Sequence, residues 1–102
     1  MPAMTVTLTT SGTVYNLYTL IKASYPNADG ACRELTLVGD PGNAAAKVFV
    51  GDNSVSSSNF GQQLTAAQST TYRSADSNAV YLGKGLVSDT NGAKVDVEWS
   101  YA

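Results

Sequence analysis

Residues 33–52 read as a strand, a turn and a second strand, and this stretch restricts the chain to a β-rich fold. Residues 34–38 are short, mostly apolar and β-prone. Gly39, Asp40, Pro41, Gly42 and Asn43 concentrate turn chemistry. Proline pre-sets one backbone angle there, and the glycines permit positive φ. Lys47, Val48, Phe49 and Val50 return to strand residues, and Gly51-Asp52 closes the segment. The pattern predicts a core hairpin, or two sequential strands joined by a longer loop.

The flanking segments extend the same reading. Residues 4–10 alternate, with Val6 and Leu8 on one face and Thr5, Thr7 and Thr9 on the other. Val14, Leu17, Tyr18, Ile21 and Tyr25 fall instead on one helical face. They predict a short helix near residues 16–24, capped by Thr13 or Asn16 and stopped by Pro26. Residues 53–61 are polar and turn-rich, with Val55 and Phe60 as their apolar anchors, and predict a loop tied down at two points. Residues 62–64, 69–74 and 79–82 read as short strands, with Tyr72 facing inward. The strand at 79–82 can continue into 86–88 across a bend at Gly83-Lys84-Gly85. Asn91-Gly92 is the strongest short hairpin signal in the chain. The last strand has the clearest alternation: Val95, Val97, Trp99 and Tyr101 face one way, Asp96, Glu98 and Ser100 the other.

Seven or so short strands with turns between them predict a mainly β fold, an antiparallel β-sandwich or small jelly-roll-like barrel with one short helix. The 102 residues suit a single β-rich domain, residues 1–102, with the C-terminus tied into a sheet. Charged residues make up 14%, below the globular norm of about 25%. The surface is therefore solvated but nearly neutral, which suits contact with other protein. A net charge of −2 without a basic cluster argues against nucleic acid, and no apolar run nears the roughly 20 residues that span a bilayer. Met1, Pro2, Ala3 and Met4 show no signal-peptide pattern.

The chain has no histidine and one cysteine, Cys32. Histidine-dependent triads and cysteine-based zinc sites are thereby excluded, and no cofactor or metal is expected. Asp96 and Glu98 share the outer face of the last strand, about 7 Å apart, a separation compatible with an inverting glycosidase pair. Alternating strands offer such pairs routinely, and a solvated face is the expectation. Asp40, Asp52 and Asp89 sit in turns, where aspartates bond the nearby backbone; their spacing matches no calcium loop. Cys32 reads as a small buried hydrophobe. Gly83-Lys84-Gly85 lacks the spacing and the following helix of a phosphate loop. Six tyrosines and one tryptophan could build a sugar-stacking platform, but Tyr72, Tyr81, Trp99 and Tyr101 fit inward positions; Tyr15 and Tyr18 are unassigned.

A set of segments resembles a family of small tailed-bacteriophage virion proteins. They are Asn16-Leu17 with Leu20-Ile21, residues 32–36, residues 39–43, residues 48–52, Val55-Ser56 through Asn59-Phe60-Gly61, Tyr81-Leu82, and residues 95–101. The resemblance covers most of the chain from Asn16 onward and rests on the order of the set. It implies a β-rich, non-enzymatic, oligomeric protein of the virion exterior, made in the host cytoplasm and released by lysis. The expected role is a capsid decoration or cement protein that binds major capsid protein or other virion proteins as a trimer or dimer. A tail, fibre or head–tail component, or a carbohydrate-binding module at the host surface, are the alternatives. The expected interface is Val55, Ser56, Ser57, Ser58, Asn59 and Phe60. Residues 1–10 are a second, with Val6 and Leu8, because a terminal strand can pair with a neighbour's sheet edge.

Overall fold

The computed structural model describes residues 2–102. It contains ten strands and one α-helix: β1 (Ala3–Leu8), β2 (Tyr15–Asn16), α1 (Leu17–Ser24), β3 (Ala31–Cys32), β4 (Glu34–Gly39), β5 (Val48–Gly51), β6 (Gln62–Leu64), β7 (Ser69–Arg73), β8 (Val80–Tyr81), β9 (Gly85–Ser88) and β10 (Ala93–Ser100). Four strands form one antiparallel sheet in the order β1-β10-β4-β7, four form a second in the order β2-β9-β5-β6, and β3 pairs with β8 in a two-stranded ribbon. The fold is mainly β, a small sandwich of antiparallel sheets with a single helix.

The alternation of the strands explains why the sheets stack. Val6 and Leu8 of β1, Leu35 and Leu37 of β4, and Val95, Val97 and Trp99 of β10 share one buried cluster with Val48 and Val50 of β5, Leu64 of β6 and Leu86 of β9. Each sheet thus contributes its period-2 apolar face to a common interior. The outer face of the first sheet carries threonines and charges. There Thr5 donates to Asp96 Oδ1 at 2.7 Å, and Arg73 pairs with Glu34 at 3.1 Å.

Asn16 caps the helix, its side-chain oxygen accepting from the Thr19 amide at 3.2 Å. Leu17 and Ile21 enter the core, and the helix packs against β1 and β2, the edge strands of opposite sheets. It therefore closes one side of the sandwich. Tyr25 follows it, packs edge-on against Trp99 at 5.3 Å and donates its hydroxyl to the Ala3 carbonyl.

Of the two alternatives for residues 33–52 the longer connection is the one that forms, and the expected Asn91-Gly92 hairpin is absent. β4 and β5 lie in different sheets, so residues 40–47 form the longer connection, with a 3-10 turn at Pro41–Asn43 whose start Asp40 caps through the Gly42 amide. The Asn91-Gly92 turn forms, with Gly92 at φ +81°, but it links β9 of one sheet to β10 of the other. Its anchors are the end of β1 and the segment after it: the Gly92 amide donates to the Leu8 carbonyl at 2.8 Å, and Asn91 Oδ1 accepts from the Ser11 amide at 2.7 Å. A tight turn specifies a chain reversal and leaves open which sheet the next strand joins. The strand read at 79–82 shortens to Val80–Tyr81 and pairs with Ala31–Cys32. The chain bends at Gly83-Lys84 and enters the second sheet as β9.

Candidate functional site

On the outer face of the second sheet, Phe49 of β5 and Val87 of β9 form a small apolar cluster with Val55. All of residues 48–50 are buried, because the neighbours of Phe49 serve the main core while Phe49 itself points outward beneath the loop. The loop at residues 55–60 lies on this cluster. Phe60 stacks on Phe49 at 4.9 Å with the rings tilted by 49°, and remains 42% exposed.

Hydrogen bonds fix the loop's shape. Asp52 accepts from the Ser54 amide at 2.8 Å and the Ser54 hydroxyl at 2.6 Å, and these bonds hold its carboxyl below the usual carboxylate range. Ser56 and Asn59 close a tight bridge through paired backbone bonds, and the Asn59 amide group donates to the Ser54 carbonyl at 3.3 Å. Residues 53–61 carry no charge. The result is a pre-shaped neutral ledge with a half-exposed aromatic at one end, and a cleft of about 290 Å³ at the other, between Ser56, Ser57, Ser11 and Asp89. The chemistry available to such a ledge is burial against another surface.

The second expected interface has a different basis. Val6 and Leu8 point into the core, so neither side chain is open to a partner. What β1 offers is backbone. The Pro2 and Leu8 carbonyls accept from Trp99 and Gly92 on the β10 side. The alternate residues Thr5 and Thr7 therefore turn their amides and carbonyls to the free edge. Tyr25 covers that edge at Ala3. Met1, at the head of this segment, lies outside the described residues.

The carboxylates are dispersed. Asp40 and Asp52 bond their own turns, and Asp89 Oδ1 accepts from the Lys47 amide at 2.9 Å, tying β9's end to β5's start. Asp96 accepts from Thr5 on an open sheet face beside exposed Glu98. Among the described residues no three His, Cys, Asp or Glu side chains are grouped to hold a metal ion.

The aromatics divide unexpectedly. Trp99 is buried as expected, and Tyr72 is half-buried, but Tyr81 is 70% exposed rather than inward. The two-residue β8 pairs only with the ribbon strand β3, where Val80 takes the inward position and Tyr81 the outward one. No sequence period marks this, because a two-residue strand is too short to show one. No protein-family model, curated protein or solved structure matches the chain.

Proposed function

We propose that the chain is a non-enzymatic structural protein of a tailed-bacteriophage virion, a decoration or cement protein bound between major capsid subunits on the head exterior. The observation that carries this reading is the 55–60 loop: uncharged, held in one shape by its own hydrogen bonds, and presenting Phe60 half-exposed above Phe49. A pre-ordered surface loses little entropy on docking, and the half-exposed aromatic at its end supplies an anchor. The sequence resemblance to small virion proteins supports the same role. Neutral contacts suit assembly at varied ionic strength, because they are not screened. By this reading Phe60, Ser56, Ser57, Ser58 and Asn59 pack across a joint between capsid subunits, which raises the free energy needed to separate them. The free edge of β1 is the surface through which copies associate as a dimer or trimer.

The test is add-back of purified protein to heads assembled without it, read by co-sedimentation, with the protein's own mass from light scattering. Saturable binding to heads, weakened about tenfold or more by Phe60→Ser, is expected. A soluble monomer that never sediments with heads overturns the proposal. Binding to purified tails but not heads moves the role to a tail component.

A further inference from the structure

The six tyrosines sort by what their hydroxyls do. Tyr15 OH bonds Thr9 Oγ1 and the Thr10 amide, Tyr18 OH donates to the Ala28 carbonyl, Tyr25 OH to the Ala3 carbonyl and Tyr101 OH to the Asp29 carbonyl. Those four hydroxyls are part of the fold. Tyr72 OH and Tyr81 OH have no hydrogen-bond partner among the described residues, and these two tyrosines line the same cleft, of about 310 Å³. A cleft of about 350 Å³ beside Tyr25, Trp99 and Tyr101 is the contrast: the polar atoms of its aromatics are all bonded within the protein.

Lys84 and Asp52 complete the polar lining of the tyrosine cleft. Lys84 Nζ stands 4.5 Å from the Tyr72 ring centre and has no ion pair among the described residues. Asp52 uses Oδ1 for both Ser54 bonds and leaves Oδ2 free of protein donors among the described residues. Gly61 and Gly83 also line the cleft, and nothing inside the protein demands glycine at either. Neither has positive φ, and a Cβ would find its nearest neighbour at an ordinary 3.6 Å at Gly61 and 3.7 Å at Gly83.

We propose that this cleft, between Tyr72, Tyr81, Lys84 and Asp52, binds a neutral carbohydrate, one sugar ring seated on the exposed face of Tyr81. A pyranose has an apolar C–H face that packs on an aromatic ring, and hydroxyls that both donate and accept. The cleft's lining is mostly apolar, as a stacking platform requires, and among its lining residues Tyr72, Tyr81, Lys84 and Asp52 carry the groups that can donate to or accept from a sugar's hydroxyls at its rim. Its charges are one positive and one negative, which disfavours a phosphate or a free cation and suits an uncharged polyol. Its size is at the lower bound of ligand clefts, about 300 Å³, and fits a single ring. The site adjoins the 55–60 loop through Asp52 and Gly61 but includes neither Phe60 nor the serines that the proposed virion role uses, and it stands whether or not that role does.

The test is titration of isotopically labelled protein with neutral oligosaccharides of glucose, galactose, mannose and N-acetylglucosamine at millimolar concentration, followed by amide chemical shifts. Saturable shifts at Gly51, Asp52, Gly61, Gly83 and Lys84 with at least one sugar are expected. Tyr81→Ala weakens that binding about tenfold while the rest of the spectrum stays unchanged, and Lys84→Ala, which removes the ammonium donor, weakens it too. The absence of saturable shifts at these amides with every sugar overturns the proposal. So do shifts that neither substitution alters.

Discussion

Cys32 is buried, its thiol donating to the Glu34 carbonyl at 3.4 Å, and burial pushes its pKa up. Burial suppresses the thiolate. A thiol reagent should therefore label the native protein only as fast as it unfolds, and labelling rate against urea concentration checks this. Trp99 shows the opposite sensitivity. It is buried against Tyr25, and its ring N–H reaches Tyr101 OH at 3.2 Å. Trp99→Ala should cost about 3–5 kcal/mol in urea unfolding followed by circular dichroism. Asp89 makes stability depend on pH. The Lys47 amide, first, and the Thr90 hydroxyl hold its carboxyl below the usual aspartate range. A carboxylate whose pKa is lowered by folding stabilises the native state above the ordinary range, and that contribution is lost as the pH falls through the folded value. Asp89→Asn should thus be less stable than the parent at pH 7, and the gap should narrow below about pH 4. Unfolding midpoints at the two pH values measure it.

The strands and turns carry a second layer of specification. Gly92 sits at φ +81° with open space where a Cβ would go, so Gly92→Ala changes backbone strain without a clash. Its expected cost is about 1 kcal/mol. Asn16→Ala removes the helix cap and should cost about the same. Gly85 differs in kind. A Cβ there would collide with the Asp52 carbonyl oxygen, because β9 starts where the 52–55 turn crosses it. Gly85→Ala should destabilise more than Gly92→Ala, and a pair of thermal melts ranks them. The turn residues at 39–43 and 91–92 and the helix at 17–24 were legible as local chemistry, whereas Val14, read onto the helical face, stands exposed ahead of the short strand β2. The partner of each strand was not, because residues 38–48 and 88–93 contain the same signals whether the chain returns to its own sheet or crosses to the opposite one.

At the scale of the molecule, β1 pairs with β10 across most of the chain's length, and β4 lies between β10 and β7. The core forms only when distant segments meet, so loop closure precedes most of the gain in buried area. Refolding should be slow for a chain of this size, in milliseconds to seconds, with a single phase in stopped-flow fluorescence of Trp99. The helix closes the side of the sandwich between β1 and β2, and β1 is the outermost strand of the first sheet.

Composition and period by themselves determined that this chain is a mainly β protein of antiparallel sheets with one short helix, that its last strand is half buried, and that residues 53–61 are a loop anchored at Val55 and Phe60. These are properties of neighbouring residues, set by steric preference and by the two-residue repeat of a pleated strand. Tertiary structure alone decided that Phe49 turns outward beneath Phe60, that Tyr81 stands exposed, and that Tyr72, Tyr81, Lys84 and Asp52 meet in one cleft. The four come from separate turns and strands, and no local signal records which distant segments will be adjacent once the two sheets close on their common core.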